Sequence, residues 1–254
     1  MVFVTGDIHA RPFPRLSEDV FYEQEETSQE DDFVIICGDF GCVWNKDEES
    51  PCERYNLDEL ERRSFTTLFC DGNHENFDRL DAYPVEEWHG GKVHKLRPHV
   101  IHLMRGQVYD ICGKRFFVFG GARSHDIGDG VLEIGDPRIA EWREDRFKMF
   151  RVNHLSWWER EMPDREEMAE GRRNLKAVDY KVDFVITHEM PTESLKLYCA
   201  LYKHARLKPD NLNQYLERLR GRLEYVKWFS GHYHDNRQLT VKDIVVYDQI
   251  IRVV

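Results

Sequence analysis

Hydrophobic residues in this chain fall in short blocks separated by polar stretches. Residues 2–5, 33–37 and 66–70 are continuous apolar runs, the pattern of strands buried on both faces of a sheet. Residues 16–26 and 57–64 between them suit helices, and a further helix is predicted over 76–80. This β-α-β-α-β order predicts an α/β sheet with helices on its faces. Runs at 92–96, 100–104, 107–111 and 115–119 predict four more strands, with Cys112-Gly113-Lys114 as the hairpin turn between the last two. A charge-rich stretch from 124 to 173, holding Trp142, Trp157 and Trp158, predicts one or two helices. There follow a strand at 184–187, helices at 193–202 and 211–219, a strand at 226–229 and closing strands at 238–241 and 244–247. No repeat, linker or shift in composition divides the chain. A single domain over 1–254, with two sheets, helices outside and a helical insertion around 124–175, is the expected organisation.

Composition narrows the functional classes. The chain is 41% hydrophobic and 13% aromatic, too rich in both to be disordered. No apolar run approaches the roughly 20 residues of a membrane span, so no membrane partner is expected. Lys and Arg number 36 against 47 Asp and Glu, a net charge of −11 that argues against a non-specific nucleic-acid binder while leaving a local basic groove open. The sequence does not reveal an oligomeric state. None of the six cysteines forms a C-x-x-C pair; Cys37, Cys70, Cys112 and Cys199 read as small core residues. With no basic n-region or long apolar segment ahead of the strand at Val2, the expected compartment is the cytoplasm.

Five strand-like runs end abruptly in Gly, Asp, Asn or His. These ends are Gly6-Asp7-Ile8-His9, Gly38-Asp39, Asp71-Gly72-Asn73-His74-Glu75, His188, and Gly231-His232-Tyr233-His234. In open α/β sheets, ligands bind beyond the carboxyl ends of the strands. Carboxylate, imidazole and amide oxygen suit Mn, Fe, Zn and similar ions. The candidates are too many for one tetrahedral zinc, and two ions sharing a carboxylate fit the count better. Such a pair clamps the attacking and leaving oxygens of a displacement at phosphorus. A sixth run ends in Gly120-Gly121-Ala122-Arg123-Ser124-His125. Arg123 or His125 there is a candidate substrate contact, since a guanidinium fork matches phosphate oxygens.

D-x-H, G-D, G-N-H-E, a lone His after a strand and G-H-Y-H, in this order from Asp7 to His234, resemble the calcineurin-like metallophosphoesterase superfamily. The resemblance implies an α/β sandwich of two mixed β-sheets flanked by helices. It implies that Asp7, His9 and His234 bind a first metal, that Asp39 bridges, and that Asn73, His188 and His232 complete a second. His74 would contact the substrate phosphate or protonate the leaving oxygen, and a hydroxide bridging the two metals would be the nucleophile. One departure is Cys42, where many members have an acid or His near the catalytic His; any carboxylate holding His74 must come from elsewhere.

Several residues have plainer readings. His89, His94, His99, His102, His154 and His204 match no motif and read as surface or packed histidines. Trp157 and Trp158 read as core or interface packing, and the acidic stretch 23–32 as solvated surface. Glu75 either supports the site or favours the first turn of the next helix. The expected function is a two-metal phosphoesterase acting on a phosphomonoester, whether small molecule, nucleotide or phosphoprotein. A phosphodiesterase for cyclic nucleotide or nucleic acid is the alternative within the class. A non-catalytic metal-binding scaffold is the alternative outside it.

Overall fold

The computed structural model describes residues 1–202 and 207–254, so His204 lies outside the described residues. The first part supplies β1 (Val2–Thr5), β2 (Phe33–Ile36), α1 (Pro51–Glu61), β3 (Thr66–Phe69), α2 (Phe77–Leu80), β4 (Val85–Trp88), β5 (Gly91–Arg97) and β6 (Val100–Leu103). Next come β7 (Gln107–Ile111), β8 (Lys114–Phe119), β9 (Gly130–Leu132), α3 (Arg138–Glu144), β10 (Phe150–Val152) and α4 (Arg165–Ala177). The chain closes with β11 (Phe184–Thr187), α5 (Thr192–Tyr202), α6 (Asn211–Arg220), β12 (Lys227–Ser230), β13 (Arg237–Gln238), β14 (Asp243–Val245) and β15 (Ile251–Arg252).

Two mixed sheets result, ordered β15-β1-β2-β3-β6-β5-β4 and β13-β14-β12-β11-β8-β7. In the first, β1, β2, β3 and β6 run parallel; in the second, β14, β12, β11 and β8 do. Alternation along each strand divides its side chains between two layers. Val2, Val4, Ile35 and Leu68 meet Phe116, Val118, Ile186 and Phe229 in the core between the sheets. Phe3, Val34, Ile36 and Phe69 face the other way and are covered by Leu57 and Leu60 of α1. Phe117, Phe119, Val185 and Trp228 are covered by Leu175 of α4 and by Leu212, Leu216 and Leu219 of α6. Both faces of each central strand are therefore dry, which explains the unbroken apolar runs.

Local details depart from the sequence reading in several places. Residues 16–26 form turns and one 3-10 helix, Tyr22–Glu26. The buried positions there are Leu16, Phe21 and Gln24, while Val20 and Tyr22 are exposed, and that spacing makes no helical face. The helix expected at 57–64 starts at Pro51, because Ser50 and Glu53 form a reciprocal capping box with Pro51 in the first turn. Cys112 is exposed rather than in the core, since with φ 51° it forms the hairpin turn with Gly113. The strand expected at 238–241 stops at Gln238, where Thr240 and Asp243 bond each other across a turn. The segment after β8 carries a parallel β9–β10 pair as well as helices. Among the described residues no helix is long and apolar enough to cross a membrane.

Candidate metal centre

The parallel strands β1, β2, β3, β11 and β12 bring their carboxyl ends to one edge, and each sequence-predicted ligand lies in the short turn that follows one of them. Asp7, His9, Asp39 and His234 each offer a ligand atom within 4.8 Å of the others, and so do Asp39, His188 and His232. Asp39 belongs to both groups. Asn73 joins the second, with Oδ1 3.4 Å from His188 Nε2. In the first group, His234 Nε2 lies 3.2 Å from Asp7 Oδ2 and 2.8 Å from His9 Nε2. Asp39 faces His188 through Oδ1, at 3.3 Å, and His9 through Oδ2, at 3.7 Å.

Backbone geometry holds these groups close. His9, Asp39, His232 and His234 adopt φ values of 45°, 45°, 70° and 47°, a left-handed region uncommon outside glycine. The amides of Ile8 and His9 both donate to the Asp39 carbonyl, at 3.2 and 2.9 Å, and so tie the first two turns together. The His74 amide donates to Asp39 Oδ1 at 2.9 Å, and the His232 amide to Asp7 Oδ1 at 3.0 Å. Two glycines make room. A Cβ on Gly38 would fall 2.1 Å from His188 Nδ1, and one on Gly231 would fall 2.3 Å from the Cys37 carbonyl oxygen.

Further side chains aim the ligands. His188 Nδ1 lies 2.7 Å from the Cys37 carbonyl oxygen; donation there leaves Nε2 facing Asp39. The Asn73 amide nitrogen donates to Ser124 Oγ at 3.3 Å. Ser124 in turn donates from its amide and hydroxyl to the buried Glu161 carboxylate, at 2.9 and 2.6 Å. Glu75 is fully buried and accepts from the amides of Phe40 and Gly41, so it braces the turn after Asp39. Its helix-turn reading is thereby corrected, because α2 begins later, capped by Asn76.

Charge at the centre is finely opposed. Burial alone would raise the Asp39 carboxyl, but His188 outweighs it and holds the group well below the usual carboxylate range. Burial would lower His188, yet the Asp39 and Asp7 charges lift it to about 10. A cation at Asp39 competes directly with that proton. Burial pushes His9 and His232 down, keeping them neutral and able to donate lone pairs.

His74 stands beside the first group, its ring 5.1 Å from that of His9. Among the described residues no carboxylate hydrogen-bonds its ring. Trp44 stacks against it instead, at 5.7 Å and 30°. Burial lowers the His74 pKa, with Arg151 acting the same way against Asp39 and Asp126. Cys42 itself is fully buried in the apolar layer under α1. His125 approaches from the opposite side, its ring 4.7 Å from that of His232, and forms a third donor group with Glu189 and His232. Arg123 is exposed and lines a cavity of about 720 Å³ together with His125 and Glu189.

Sequence reasoning missed Trp44, Glu161 and the orienting role of Ser124. Ser124 sits in the strand-end motif Gly120–Asp126, which was a usable signal; Glu161 lies in a charge-rich stretch with no pattern to single it out.

Two sets of carboxylate, imidazole and amide donors, built on the buried carboxylates of Asp7 and Asp39 and sharing Asp39, fit divalent first-row ions. Fold and donors together define a candidate metal centre at the strand-end edge of an α/β sandwich. The model of calcineurin-like phosphoesterases matches residues 1–236. The chain belongs to that family. No curated protein sequence matches it significantly. Among solved structures, a Staphylococcus aureus protein provisionally named a 5′-nucleotidase, in complex with α-ketoglutarate, aligns with 97% of this chain at 14% identity and a TM-score of 0.44. The present chain spans 48% of that one.

Proposed function

We propose that this chain is a two-metal phosphomonoesterase. The observation that carries the reading is the convergence of two donor groups on Asp39. Asp7, His9, Asp39 and His234 would hold one ion; Asp39, Asn73, His188 and His232 would hold the other. Mn, Fe and Zn all suit this donor set. When bound, such ions activate water and neutralise charge on phosphoryl oxygens.

The remaining work falls to the chain. Amides of His74 and His232 fix the two carboxylates, so the ligands do not need to reorganise around substrate. His74, next to His9 and flanked by Trp44, would donate a hydrogen bond to the phosphate or a proton to the leaving oxygen. His125 would reach the substrate from the His232 side. The monoester preference draws on the −11 charge, which disfavours a polyanionic substrate such as nucleic acid.

The test is to measure bound metal and then compare mono- and bis(nitrophenyl) phosphate with Mn, Fe or Zn supplied. Two ions per chain and faster monoester hydrolysis are expected. A strong diester preference would overturn the monoester assignment. Bound metal without turnover on any ester would leave a metal-holding scaffold, and neither metal nor hydrolysis would sink the reading entirely.

A further inference from the structure

A cavity of about 350 Å³ opens beside the donor groups, lined by His9 of the first group and by His74 next to it, and running to the start of α1. That volume lies within the range of small-ligand pockets, roughly 300–1,000 Å³. Trp44 forms one wall, while Ala10 and Gly41 contribute little bulk. The shape is a slot with an indole on one side.

Trp44 is held in place from three directions. Its amide donates to Glu53 and its carbonyl accepts from Asn76 Nδ2 at 3.4 Å. Its ring meets the buried Trp158 edge-on at 5.6 Å and 73°, and Trp158 donates from Nε1 to Asp78 Oδ2 at 2.7 Å. A wall fixed in this way stacks with a flat ligand without first losing conformational freedom. Among the described residues the slot's lining holds no Lys or Arg. Its one carboxylate, Glu53, is already engaged by the amides of Trp44 and Asn45 and by Arg79. No Lys or Arg among those lining residues would balance a second phosphate.

From this arrangement we propose that the slot binds the leaving group, and that this group is an uncharged flat aromatic ring stacked on Trp44. The assignment rests on the phosphomonoesterase reading and adds the substrate class to it. A phenolic ring and a nucleobase share this chemistry, and the test separates them.

The experiment uses the full, metal-loaded chain as wild type, Trp44→Ala and Trp44→Phe. Phenyl phosphate, adenosine 5′-monophosphate and glycerol 2-phosphate are compared by kcat/KM. Binding of phenylphosphonate and methylphosphonate is measured separately by calorimetry. Aromatic stacking measured by alanine substitution predicts that Trp44→Ala loses about tenfold more on an aromatic ester than on glycerol 2-phosphate. Trp44→Phe should recover most of that difference. In the wild type, phenylphosphonate should bind about tenfold more tightly than methylphosphonate, and Trp44→Ala should close the gap. Loss on phenyl phosphate assigns the slot to a phenol, and loss on the nucleotide to a base. An equal loss on all three esters, with the phosphonate gap unchanged, would overturn the proposal and leave Trp44 as a support for His74. No turnover by wild type on any ester, with the phosphonate gap intact, would refute the esterase reading but not the aromatic slot.

Discussion

Asp39 and Asp71 follow adjacent strands of the first sheet, β2 and β3, and each is a buried carboxylate facing a histidine at 3.3 and 3.2 Å respectively. Their surroundings differ in one respect. Asp71 Oδ2 takes the Arg105 guanidinium, with Nε at 2.8 Å, while Oδ1 takes His102 Nε2. His102 is backed in turn by His94, at 3.1 Å between Nδ1 atoms, and Arg105 is itself buried. Every strong acceptor there has a donor. Asp39 has one amide donor and otherwise faces the imidazoles of His9 and His188, and among the described residues no guanidinium pairs with it. Residue type does not separate a candidate metal site from a structural ion pair; what separates them is whether the cation already paired with the carboxylate can give up its proton to a metal, as His188 can at Asp39 and Arg105 cannot at Asp71.

Substitutions should split the two regions along that line. The largest effect belongs to Asp39→Asn. Loss of an outer partner of a metal ligand typically costs 10–100-fold, so removal of the shared ligand itself should lower kcat/KM by more than about 100-fold. Steady-state assays with metal in excess check this. Asp71→Asn should act on folding instead. Breaking a buried ion pair costs about 3–5 kcal/mol, readable as a lower urea midpoint, while the folded fraction keeps its metal.

Glu161→Gln sharpens the comparison from the ligand side. It loosens Ser124 and so Asn73, and should weaken one of the two ions by about 10–100-fold in a chelator competition while the other is little changed. The smallest effect is a pH dependence in the Asp71 region. Burial first, and then the His102 charge, push His94 down to about 4. An unfolded histidine titrates near 6.5, so below that pH the unfolded chain takes up a proton that folded His94 refuses. This group's contribution is present above about 6.5 and is lost as pH falls through 4. Denaturation between those pH values should show a shallower fall for His94→Gln than for wild type.

The two regions were not equally legible in the sequence. Every candidate ligand around Asp39 sits in a turn at the end of an apolar strand, so its place at the sheet edge follows from strand patterning and chain order. The Asp71 chain joins residues from β5, β6 and the turns after β3 and β6, and its histidines lie inside strands with no motif to mark them. Side chains that aim the ligands were harder still. In the sequence Glu75 reads equally as a support for the site or as a helix-start acid, and only the fold, which turns it toward the Phe40 and Gly41 amides, decides between them. Glu161 comes within reach only because the segment after β8 folds back over Ser124. Residues 16–26 misled for the opposite reason: helix-compatible composition was overridden by Leu16 and Phe21 anchoring an irregular turn in the core.

The central claim is that Asp39 joins two ions. Anomalous scattering from a crystal of the metal-loaded chain, collected at the absorption edge of the metal supplied, tests it directly. The account predicts two peaks about 3.5–4 Å apart on either side of the Asp39 carboxylate. A single peak, or two peaks with Asp39 in contact with only one, would contradict it.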